Sequence, residues 1–196
     1  MKYRKLLLLA TCCSVPREVI SFGPIDPVLS ARQRVASSST TRCMGLKTTI
    51  RIVGRKSGSE SWLEDACSMY ETRLKPANID VQTEWHKNDQ SLTKGVQSDY
   101  VRNVPVVMLD PRGKRFTSEQ FTDDFYKWME IGGSRMVFCI GGAEGLPADL
   151  RAPLSGHKPI LVSLSNLTFT HQFARLVLIE QIYRASEIRK GTGYHK

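Results

Sequence analysis

The sequence predicts an α/β domain with a mostly parallel sheet flanked by helices. Two observations carry this. From Lys47 onward, segments with strand periodicity alternate with segments of helical periodicity, the order that builds strand–helix–strand units. Two of the strand segments, Val104 to Leu109 and Arg135 to Ile140, are near-continuous apolar runs, as strands covered on both faces are.

The elements follow in order. Lys47 to Val53 alternates and is rich in β-branched residues, which predicts a strand. Gly54 and Gly58 flank a basic turn, and Ser59 is the expected cap of a helix to Leu74, with Trp62, Ala66, Met69 and Tyr70 on one apolar face. Pro76 stops it. Ile79 to His86 alternates as a second strand, and Asp89 to Arg102 is a weaker helix with Gly95 in its middle. Val104 to Leu109 is the third strand, followed by a turn at Asp110-Pro111-Arg112-Gly113. Thr117 caps a helix through Glu130, with Phe121, Phe125, Trp128 and Met129 apolar. Arg135 to Ile140 is a strand leading into the glycine loop 141–145, and a short helix follows Pro147. Pro159 to Leu164 is the last strand.

The stretch Ser163 to Ala185 then joins a hydroxyl-rich loop (Ser163, Ser165, Asn166, Thr168, Thr170) to a helix with two apolar rows. Ala174, Val177, Leu178, Ile182 and Ala185 form one row, and Leu176, Ile179 and Tyr183 the other. A helix apolar on two sides is buried on two sides, and the second cover is expected to be another subunit. His171, Arg175, Glu180, Gln181 and Arg184 punctuate it and need partners or line a site.

Composition narrows the function. The 196 residues suffice for one domain with a core, and 41% hydrophobic with 24% charged residues is ordinary for a globular protein. Residues 1–46 hold seven basic and two acidic residues, whereas 47–196 hold 21 and 17, so the leader carries +5 and the body only +4. The body is mildly basic, which permits RNA binding without demanding it. Cys67 and Cys139 form no CxxC pair and have no histidine at ligand spacing, which argues against zinc and against a disulfide framework. No metal is expected.

Residues 1–46 are basic, rich in serine and threonine and poor in acids, the composition of an organelle transit peptide. The run Leu6 to Ala10 is too short to span a bilayer and suits a signal segment ahead of it. A targeting presequence is expected, plastid ahead of mitochondrion, with the domain occupying 47–196 and no membrane association.

Ligands of open α/β sheets bind beyond the carboxyl ends of strands. Three such ends stand out: Leu109-Asp110, Gly141-Gly142 and the Ser163 to Thr170 loop. Neither a G-x-G-x-x-G pattern nor a Gly-Lys-Ser/Thr follows a strand, so no dinucleotide or P-loop site is supported. Ser165 with His171 offers a weak hydrolase alternative, without an acid partner or a nucleophile elbow.

Four strings together resemble one family: MLDPRGKRFTSEQF (Met108 to Phe121), FCIGGAEG (Phe138 to Gly145), SLSNLTFTHQFARLVLIEQIYRA (Ser163 to Ala185) and GTGYHK (Gly191 to Lys196). They are similar to the RlmH family of SPOUT methyltransferases, and the resemblance covers essentially all of 47–196. It implies a C-terminal trefoil knot that binds S-adenosylmethionine, in a homodimer. It further implies methylation of N3 of a pseudouridine in large-subunit ribosomal RNA. By position, the donor site takes Leu109, Gly141, Gly142, Ser165, Asn166, Leu167, Thr168, Phe169 and Thr170. His171, Arg175, Tyr194 and His195 are expected near the RNA end of the pocket. Bacterial members usually carry proline where this chain has Thr170. A second reading is a ribosome-docking assembly factor that keeps the fold without catalysis.

Overall fold

The computed structural model describes residues 45–56, 60–154 and 156–195. The presequence reading of the leader, and the capping expected of Ser59, therefore concern residues outside those described.

Five strands form one all-parallel sheet in the order β2-β1-β4-β3-β5. They are β1 (Leu46–Val53), β2 (Ile79–His86), β3 (Val106–Arg115), β4 (Arg135–Ile140) and β5 (Ile160–Ser163). The helices are α1 (Ser61–Leu74), α2 (Asp89–Val101), α3 (Ser118–Ile131), α4 (Ala148–Arg151) and α5 (His171–Lys190). None of them is long and apolar enough to cross a membrane.

Side chains alternate across a strand, and here the alternation sorts two cores. Ile50, Ile52, Val107, Phe138, Ile140 and Val162 join α1, α3 and α5 on one face. Val106, Met108, Val137 and Cys139 join α2 and Leu150 of α4 on the other. This double cover is why β3 and β4 read as unbroken apolar runs.

Helix starts are set by local chemistry. Asn88 accepts from Ser91 N at 2.9 Å, and Thr117 accepts from Gln120 N at 3.3 Å, each in a reciprocal capping box. Helix α1 starts after Glu60, which makes no side-chain cap bond. Gly191, at φ +70°, ends α5 in a left-handed cap six residues beyond Ala185. Gly95 is there for room: a Cβ would lie 3.0 Å from Arg51 Nη1 and from His86 Cε1. Arg51 is buried between β1 and α2. Its Nε and Nη2 donate to Asp99 at 2.6 and 3.0 Å, and its Nη1 pairs with Glu84.

Three details differ from the sequence expectations. First, β3 does not end in a turn at Asp110. After a bulge it resumes pairing with β5, Lys114 opposite Val162 and Arg115 opposite Ser163. Gly113 permits this, since a Cβ there would come within 2.5 Å of Val162 N.

Second, the buried row of α1 is Leu63, Cys67 and Leu74, while Trp62 (56% exposed) and Met69 face outward. Two rows of similar period coexist on this helix, and the one continuing to Leu74 meets the sheet. Third, the second apolar side of α5 is covered by α1 of the same chain, with Tyr70 and Tyr183 ring centroids 5.7 Å apart. Periodicity reported burial on two sides correctly but not the identity of the cover.

A candidate donor cleft at the strand ends

A cleft of about 300 Å³ opens at the carboxyl ends of β3, β4 and β5. Leu109 and Asp110 of β3 line it, as do Ile140 of β4 and the glycine loop that follows. Val162, Ser163, Leu164 and Ser165 form the next wall, then Leu167, Thr168 and Phe169, with His171 closing the α5 side.

Glycine shapes the first loop. A Cβ on Gly141 would sit 2.1 Å from the Gly145 carbonyl oxygen, closer than any side chain allows. That room lets Gly145 N donate to Gly142 O at 3.0 Å and fold the loop over the cleft. At Gly142 a Cβ would meet only Val53, at 3.3 Å.

Hydroxyls shape the second loop, as short polar side chains do when they bond nearby backbone. Ser163 Oγ donates to Ser165 O at 2.9 Å, and Leu167 N donates to Ser165 Oγ at 3.0 Å. Thr170 Oγ1 accepts from Phe173 N at 3.3 Å, capping α5. With the hydroxyls of Ser163, Ser165 and Thr170 engaged in these local bonds, the loop offers a ligand backbone groups, apolar side chains and the Thr168 hydroxyl. Ser165 Oγ accepts a turn hydrogen bond from Leu167 N, and among the described residues no hydrogen bond joins it to His171.

Charge on the cleft floor is matched. The Asp110 side chain is buried, accepting from Arg151 Nε at 2.8 Å and from Arg112 N at 2.8 Å. The Arg112 side chain itself is 76% exposed at the cleft. The thiols are out of play: burial pushes Cys67 up to about 11 and Cys139 up to about 12.

The expected site residues divide as follows. Leu109, Gly141, Gly142, Ser165, Leu167, Thr168, Phe169 and His171 share the cleft. Asn166 and Thr170 belong to the same loop but do not line it. Arg175 is 2% exposed, pairs with Glu64 of α1, and stacks over Trp85 at 5.1 Å. It is a buried bracket between α1, α5 and β2, not a group facing a substrate.

Tyr194 and His195 lie along α5 and α3, clear of the cleft lining. Tyr194 Oη donates to Glu180 at 3.1 Å, and His195 Nε2 lies 2.7 Å from Glu119. Burial and the Glu180 charge push Tyr194 up to about 12. A hydrogen bond from Thr117, the backbone N–H of Glu119 and His195 together hold Glu119 down to about 2. Sequence reasoning missed Arg151, which reaches Asp110 from 41 residues away and carries no local signal.

A parallel α/β sheet with a glycine loop and a polar loop meeting beyond its strand ends defines a nucleotide-sized ligand domain. A family model described as a predicted SPOUT methyltransferase matches residues 46–195. The chain belongs to the SPOUT methyltransferase family.

Its relatives include a protein of Protochlamydia amoebophila, 48% identical over 77% of this chain and 99% of its own length. Another, from Prochlorococcus marinus, is 35% identical over 70% of this chain and 88% of its own. A third, from Dinoroseobacter shibae, is 34% identical over 77% and 99%. Each is named ribosomal RNA large subunit methyltransferase H.

Proposed function

We propose that this chain transfers a methyl group from S-adenosylmethionine to N3 of a pseudouridine in the large-subunit ribosomal RNA of an organelle, a plastid in preference to a mitochondrion. The observation that carries this reading is the cleft, built from two backbone-presenting loops and bordered by one histidine in a methyltransferase fold. The names of the relatives support ribosomal RNA as substrate. The leader's composition supports the organelle.

The residues fit such a donor. Leu109, Ile140, Val162 and Phe169 supply apolar surface for an adenosine, and Gly141 keeps open a loop that a Cβ would fill. The backbone of residues 141–145 and 165–169 supplies polar contacts. When bound, S-adenosylmethionine provides a methyl group on an electrophilic sulfonium.

The protein's task is then alignment, which can supply a large share of a rate. His171 is the member of the four expected RNA-side residues that lines the cleft. We assign it to the nucleobase, with its imidazole placed to take the N3 proton directly or through water. A homodimer with a knotted C-terminal half belongs to the same proposal. The outward-facing Trp62 and Met69 on α1 and the exposed Phe173 on α5 support a subunit contact.

Labelled S-adenosylmethionine and large subunits lacking the modification test the reading. A label located by mass spectrometry on one pseudouridine of the large-subunit RNA is the expected result. Donor binding without any label on that RNA would overturn the substrate, and no donor binding would overturn the enzyme.

A further inference from the structure

The turn after β1 places two cations next to the cleft. A Cβ on Gly54 would lie 3.3 Å from His171 Nε2, and Gly54 holds φ +129°, a conformation natural to glycine alone. The chain thus leaves β1 against the imidazole that borders the cleft. Arg55 and Lys56 follow at once, and both are exposed.

Lys56 is preset. Its Nζ lies 3.3 Å from one oxygen of Glu64, whose other oxygen holds Arg175, one turn along α5 from His171. Arg55 has no ion pair among the described residues. Its planar guanidinium suits a phosphate. Neither cation contributes to the donor cleft lining.

We propose that Arg55 and Lys56 grip the phosphate backbone of the RNA substrate and hold the target nucleotide over His171. This rests on the reading of the chain as an RNA methyltransferase. Phosphate contacts fix register and orientation without reading sequence. A body of only +4 net charge supplies little unspecific attraction, so a few placed cations must do the positioning. Glu64 acts as a positioning residue by fixing Lys56 and Arg175 at once.

The test measures methyl transfer by the full chain to large subunits for Arg55→Ala, Arg55→Lys and Arg55→Glu. Arg102→Ala serves as control, an exposed arginine at the end of α2, next to the start of β3 and so at the opposite end of the sheet. Arg55→Ala is expected to raise KM for the subunit about tenfold, with Arg55→Glu raising it further. Arg55→Lys should recover most of the loss.

The turnover number and the calorimetric affinity for S-adenosylmethionine should stay within about twofold, as a phosphate contact outside the donor cleft lining requires. The salt dependence of binding should lose a slope of about one. An unchanged KM in Arg55→Glu overturns the grip alone, and an equal KM rise in Arg102→Ala reduces it to unspecific charge and overturns it too. Absence of transfer by the unsubstituted chain removes the underlying reading and the grip with it.

Discussion

Arg151 Nε meets Asp110 Oδ2 at 2.8 Å on the floor of the cleft, joining the last turn of α4 to the point where β3 bulges. Asp110 is the buried partner, whereas Arg151 keeps about a third of its side chain in solvent. Removing the arginine strands a carboxylate, which is costlier than removing both groups. Arg151→Ala is expected to cost about 2 kcal/mol, below the roughly 3–5 kcal/mol of a fully buried pair because Arg151 is partly solvated. Arg151→Ala with Asp110→Asn should cost less than the sum of the two. Urea unfolding of the four proteins gives the coupling, and a coupling near zero would refute the pairing.

Gly141→Ala tests the loop. The added methyl must displace the Gly145 carbonyl, so the loop opens. Affinity for S-adenosylmethionine should fall at least about tenfold, or about 1.4 kcal/mol, while far-UV circular dichroism stays native. Unchanged affinity by calorimetry would move the donor elsewhere.

His86 makes stability depend on pH. Burial, then the neighbouring Arg51 charge, lowers its proton affinity below the ordinary 6.5. Its ring lies 3.3 Å from Arg51 Nη1. A histidine lowered in the folded state costs nothing above 6.5, where both states are neutral. As pH falls through 6.5, the unfolded chain takes up the proton first and stability drops. Urea midpoints between pH 8 and 5 should therefore decline, and His86→Gln should flatten part of that decline. A parallel curve for the variant would assign the effect to other groups.

Thr170 sits at φ −62° and ψ 151°, backbone values that proline adopts without strain. Thr170→Pro loses the side-chain cap, worth about 1 kcal/mol, and regains about 0.4 to 1 kcal/mol from a stiffer unfolded chain. Stability should stay within about 1 kcal/mol of the parent, and donor affinity should hold because Thr170 does not line the cleft. A large loss by thermal melting would mean that the hydroxyl does more than cap.

Much of this architecture is legible in the residues themselves. Strand and helix periods place every major element, because each buries a face that a short window of sequence reveals. Cleft walls at Leu109, Gly141 and Ser165 follow from the rule that strand ends bind ligands.

What is not legible depends on packing at a distance. The charge on Arg175 suggests a substrate contact until Glu64 and Trp85 are seen to enclose it. Arg151 means nothing until α4 brings it to Asp110. The second row of α5 asks for a cover, and only the fold supplies α1 as the answer.

The short β5, clasped on both sides of a bulge by β3, also bears on how the chain behaves among its own copies. β5 is an edge strand of four residues, and an edge that is short and irregular is a poor template for another strand. At the opposite edge, β2 alternates Asp80, Gln82 and Glu84, which places two carboxylates where a foreign strand would dock. Both borders of the sheet are therefore poor templates for edge-to-edge pairing, and on the β5 side the irregularity is the one that shapes the cleft.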